Sequence, residues 1–81
     1  MEKNIFRELI RAGAVHSIAV RGLPGGYALF VLTEAGESHL TAQRGGVRVF
    51  SRLDTIAGFL REMGVSRFTV DGENWSSSSL L

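Results

Sequence analysis

At 81 residues, with 44% hydrophobic and 21% charged side chains, the chain is sized for one globular domain with a small core. It has no cysteine, which excludes disulfides and thiolate-bound zinc. It also has no apolar run of the roughly 18 residues that a membrane-spanning helix needs, so a cytoplasmic location is expected. The net charge of +1 hides an uneven spread: residues 1–43 balance, residues 44–67 set five arginines against Asp54 and Glu62, and residues 68–81 hold Asp71 and Glu73.

Residues 2–12 read as a short helix. Ile5, Phe6, Leu9 and Ile10 fall on one side, Lys3, Asn4, Arg7, Glu8 and Arg11 on the other, and Gly13 is placed to close it. Val15–Arg21 then alternates as a strand should, and Leu23-Pro24-Gly25-Gly26 has the order of a type II turn. Tyr27–Thr33 is almost wholly apolar, as in a strand at the centre of a sheet. Glu34-Ala35-Gly36 turns the chain into a strand over Glu37–Gln43. Gly45-Gly46 forms a tight turn into Val47–Phe50, since both glycines can take positive φ.

A second helix starts at Ser51, whose hydroxyl is expected to cap it with Asp54 three residues on. Leu53, Ile56, Ala57, Leu60 and Met63 form its apolar stripe, and Gly64 ends it. Ser66–Val70 is the closing strand. Residues 1–75 are therefore expected to form a single two-layer α+β domain of order αββββαβ, an antiparallel meander with both helices on one face. Residues 76–81, four serines followed by Leu80 and Leu81, read as a flexible tail.

Register divides the strands into two faces. A two-residue turn at Gly45-Gly46 pairs Arg44 with Val47 and Thr41 with Phe50, and a three-residue turn puts Thr33 opposite Glu37. One face then collects Ile18, Val20, Ala28, Phe30, Leu32, Leu40, Ala42, Val47 and Val49, and is the expected core, with Phe68 and Val70 joining it. The other collects Ala19, Arg21, Tyr27, Leu29, Val31, Thr33, His39, Thr41, Gln43, Arg48 and Phe50. Its apolar middle and basic margin mark it as a surface that meets another molecule, because a monomer seldom exposes such a patch.

The sequence offers no catalytic constellation, and a non-enzymatic protein without cofactor or metal is expected. His16 and His39 lack companions at metal-ligand spacing, and Ser76–Ser79 have no base near them in sequence. Gly22, Gly25 and Gly26 join two strands, whereas nucleotide loops run from strand into helix. A binding module remains. Arg21, Tyr27, Leu29, Val31, His39, Thr41, Gln43, Arg48 and Phe50 form the candidate partner face, and Arg44, Arg48 and Arg52 are candidate phosphate contacts. Such residues serve either a protein interface, most simply a homodimer, or a nucleic acid stacked on the sheet.

The segments RAGAVHSIAVRGLPGGYALFV and LTAQRGGVRVFSRLDTIAGFLREMGVSRFTVD resemble the small ParC-type partition-associated proteins of bacterial plasmids and integrative elements. The likeness runs from about Ile5 to Trp75. Its most specific part is the Gln43-Arg44-Gly45 turn with Phe50, Ser51, Leu53-Asp54-Thr55 and Arg67-Phe68. The resemblance implies an accessory in the maintenance or partition of mobile DNA that acts through proteins or DNA rather than by catalysis. Taken together with the sheet face, it points to self-association, a partition or maintenance protein and DNA as partners, with no membrane.

Overall fold

A computed structural model describes residues 1–76, built as helix α1 (Lys3–Arg11), strands β1 (Val15–Leu23), β2 (Gly26–Thr33), β3 (Gly36–His39) and β4 (Val49–Phe50), helix α2 (Leu53–Glu62) and strand β5 (Thr69–Asp71). The expected α+β order αββββαβ is observed. The sheet runs β3-β2-β1-β5, with β1–β2 and β2–β3 antiparallel and β5 parallel to β1. Two residues of β4 pair with Tyr27 and Ala28 on the same side of β2 that β3 occupies further along. The two short strands thus share one lane at the sheet edge, and Leu40–Arg48 leaves that lane and returns to it.

Both helices close alike. Gly13 (φ 68°) and Gly64 (φ 89°) take the left-handed conformation that only glycine adopts without cost. Past them, the Ala14 and Val65 N–H groups reach back to the carbonyls of Leu9 and Leu60, each at 2.9 Å. That is the Schellman closure, and it satisfies carbonyls the helix would leave open. The expected cap at Ser51 is not formed: Arg52 is the N-cap of α2 and no side chain caps it. The Asp54 carboxylate, which the capping arrangement needed, instead accepts from the Arg52 guanidinium at 3.2 Å.

One face of the sheet carries both helices. Ile18, Val20, Leu29, Val31, Leu40 and Phe50 are buried there beneath Phe6 of α1 and Ile56, Leu60 and Met63 of the second helical segment. The Phe6 ring stacks on Phe59 at 6.2 Å, joining the helices, and Phe59 leans on Phe50 at 5.5 Å. Burying each large side chain contributes about 1.5–3 kcal/mol.

This arrangement corrects the expected division of faces. Tyr27, Leu29, Val31 and Phe50 do emerge together, but toward the helices; Leu29, Val31 and Phe50 are core and cannot meet a partner. Phe30, Leu32 and Val49, expected inside, lie on the far face, with Leu32 and Val49 exposed. The cause is turn length. Thr33 pairs with Gly36 rather than Glu37, so the turn holds two residues instead of three. The Thr33 hydroxyl accepts from the Ala35 N–H at 3.2 Å and tightens it. At the first hairpin Leu23 pairs with Gly26, which sets Val20 beside Leu29 and Ile18 beside Val31. A one-residue slip moves every side chain of a strand to the opposite face.

The third turn departs from expectation as well. Gly45 and Gly46 do take positive φ (89° and 70°), yet Arg44 does not pair with Val47. Thr41 bridges to Val47 instead, and the Gly45 N–H bonds to the Ala42 carbonyl at 2.9 Å. Ser76, the first residue of the expected tail, is held: its carbonyl accepts from the Gly25 N–H at 2.7 Å. The remainder of that tail lies outside the described residues.

Candidate partner-binding surface

On the far face of the sheet the charged groups pair within the chain, while Leu32 and Val49 stay exposed. Arg21 on β1 reaches across β2 to Glu37 on β3, giving two parallel hydrogen bonds of 2.9 and 2.6 Å. On the way its guanidinium lies over the Phe30 ring, 4.3 Å from the centroid, and the edge of His39 meets the same ring at 6.3 Å. The hydrogen bond to Arg21 holds the Glu37 carboxyl below its ordinary range, and Arg21 is raised in turn by that bond and by the negative charges of Glu37 and Asp71. Arg21 and His39 therefore sit on one surface, as expected, but Arg21 already has its anion.

Tyr27 lies at the rim of the helix-covered face and stacks on Trp75 at 5.9 Å. Trp75 passes so close to β1 that a side chain at Gly22 would meet its Cβ at 2.5 Å. The segment after β5 is thus folded back along the sheet, and Tyr27 is spent on it.

The remaining candidates gather on the excursion over Leu40–Arg48. Its base is fixed: Leu40 is buried, its N–H bonds to the Leu29 carbonyl at 3.0 Å, and its carbonyl accepts from the Arg48 N–H at 2.9 Å. The start of α1 is tied alongside by the Thr41 N–H, which donates to the Met1 carbonyl at 2.8 Å. Between the helix start and the excursion lies a cleft of about 850 Å³ lined by Glu2, Lys3, Asn4, Thr41, Ala42, Gln43, Gly45 and Arg48. The half-buried Arg48 is anchored from below, its guanidinium 4.6 Å from the Phe50 centroid and 5.2 Å from that of Phe59. Stacking of this kind fixes a cation without neutralising it.

Of the expected contacts, the structure brings Thr41, Gln43 and Arg48 into one cleft and sets the exposed Arg44 on the same excursion. It leaves Arg52 apart, bound to Asp54 at 3.2 and 3.4 Å. Sequence reasoning missed Lys3 and Asn4. They were legible only as the polar side of a helix, and no local pattern says that this helix begins beside residues 41–48. With Lys3 and Arg48 against Glu2, the cleft is a positively charged polar recess suited to a carboxylate or phosphate group.

The profile of the ParC-like family matches residues 1–79 of the chain. No curated protein and no solved structure matches it.

Proposed function

The chain belongs to the ParC-like family, and on that premise we propose that it is a non-enzymatic accessory in the partition or maintenance of a mobile genetic element, working by self-association and by binding an acidic partner in the cleft between α1 and the 40–48 excursion. The observation that carries the reading is the excursion itself. β3 and β4 lie in one lane beside β2, and the sheet needs no detour between them. Gln43–Val47 nevertheless stand out from that lane, exposed, and no burial of their own accounts for them. Exposed loops on a rigid scaffold are where binding residues collect.

An acidic segment of another partition protein suits the cleft better than duplex DNA does. Arg52 is engaged with Asp54 and Arg48 is half-buried over aromatic rings. Lys3 and Arg44 are left as the freely exposed cations here, enough for about two phosphate contacts. Two contacts give a salt slope of only about −2, far below that of dedicated DNA binders.

The test is retention of the element without selection, comparing wild type, a deletion of the chain, and the surface double variant K3E/R44E. The deletion is expected to raise loss of the element, and K3E/R44E to match it while melting at the wild-type temperature. A deletion strain that keeps the element as well as wild type refutes the partition role. Tight binding of a labelled duplex with a slope much steeper than −2 would replace the protein partner with DNA.

A further inference from the structure

We infer that the outer edge of β5 docks a second copy of this chain, the two strands running antiparallel about a two-fold axis at Thr69; this gives the self-association proposed above its surface. β5 is the last strand of the sheet, and Thr69, Val70 and Asp71 are all exposed. Among the described residues its only strand partner is β1. An open strand edge presents unpaired N–H and C=O groups to another chain unless a proline, a lysine, a bulge or a covering loop blocks it. β5 (Thr69–Asp71) and the two residues leading into it, Arg67 and Phe68, contain neither proline nor lysine, and the β1–β5 register runs without a shift. The opposite edge is interrupted where the 40–48 excursion leaves the sheet, and there Met1 is bonded to Thr41 and His39.

The segment complements itself. A two-fold axis normal to the sheet at Thr69 sets Arg67 against Asp71 of the second copy, Phe68 against Val70, and Thr69 against its own equivalent. Opposite charges, an aromatic with a β-branched side chain, and paired threonines are each favourable across an antiparallel pair. The faces agree as well. Val70 shares the helix-covered face with its partner Val20, and Phe68 packs against the core on that side. Val70, 46% exposed in one copy, is covered by Phe68 of the other. On the far face Asp71 pairs with Arg21 in the β1–β5 register. The second copy's Arg67 therefore extends the row Glu37, Arg21, Asp71 with the next sign in alternation. Moving the axis to Val70 sets Phe68 against Gly72, which has no side chain to meet it.

Five paired residues bury less than the roughly 1,200 Å² at which specific interfaces begin, so the dimer is reversible and grows with concentration. Sedimentation velocity from micromolar to millimolar concentration is expected to move the mass from 8.8 kDa toward twice that value. R67D sets like charges opposite each other at two symmetric points, and V70K places a charge on the edge. Each is expected to raise the dissociation constant about tenfold or more, R67D with an unchanged melting temperature. The swap R67D/D71R restores opposite charges across the axis, while giving Arg21 a like-charged neighbour, and is expected to recover part of the association. A dimer that neither R67D nor V70K weakens, or a swap that stays as weak as R67D, overturns the β5 edge at this register while leaving self-association standing. A chain that stays monomeric throughout overturns self-association as well.

Discussion

The assignment of Leu29 to the core and Leu32 to the far face can be tested by shortening each in turn. Leu29 has no exposed surface and lies under the helices, whereas Leu32, three positions on in the same strand, is 42% exposed. L29A removes a buried isobutyl group and leaves a cavity, which costs about 2–5 kcal/mol. L32A loses only partial cover and should cost about 1 kcal/mol or less. At about 0.05–0.15 kcal/mol per residue, the whole domain has only about 4–12 kcal/mol to lose. With a urea m-value of about 1 kcal/mol/M for so small a protein, L29A should lower the midpoint by roughly 2 M or more and L32A by under about 1 M. Equal shifts, or a larger one for L32A, would refute the register. They would return Leu29, Val31 and Phe50 to the surface, and the argument for the cleft would fall with it.

A methyl group at Gly26 would run into the Phe50 carbonyl and approach Val49 Cγ1 at 2.7 Å, whereas one at the exposed helical Gly58 would meet nothing within 4 Å. Calorimetry is therefore expected to show G26A melting lower, by about 1–3 kcal/mol of overpacking, and G58A melting higher, by about 0.5–1 kcal/mol of helix propensity. The Glu37 carboxyl titrates below its ordinary value of 4.5 because Arg21 holds its charged form. A depressed folded-state value means the ion pair stabilises above the unfolded pKa, and that contribution disappears as pH falls through the folded one. The melting-temperature difference between wild type and E37Q should accordingly be constant near neutrality and vanish on acidification. A difference that persists below the folded pKa of Glu37 would rule the pair out as its source.

The elements were legible because their signals are local. A glycine just past each apolar stripe closes each helix, and the alternation of Val15–Arg21 reports a half-covered strand. The faces were not legible, and the reason lies in Tyr27–Leu32. Its six residues are apolar at odd and even positions alike, so the strand casts no vote on which side is buried. The choice passes to the turns: Leu23 pairs with Gly26 and Thr33 with Gly36, which phases β2 against both of its neighbours. The candidate site suffered doubly. Leu29, Val31 and Phe50 went inside, while Lys3 arrived from a helix 38 residues before Thr41, a juxtaposition that no periodicity encodes.

The charged and aromatic groups of the far face are already engaged within the chain, and its exposed side chains Leu32 and Val49 are apolar. Its best cation is engaged by Glu37, and its aromatic ring lies under that cation. The two margins of the sheet differ. One carries the excursion and its positively charged cleft; the other carries β5, whose strand partner among the described residues is β1, with β2 and β1 between them. Pairing through β5 joins four lanes to four, and the dyad turns the two clefts to opposite ends of one continuous sheet. A dimer of this kind is bivalent toward any partner with repeated acidic segments. The second contact then forms at an effective concentration set by the sheet rather than by the bulk. Weak contact at one cleft becomes firm contact at two, and R67D should weaken binding to a two-segment partner while leaving binding to a single segment unchanged.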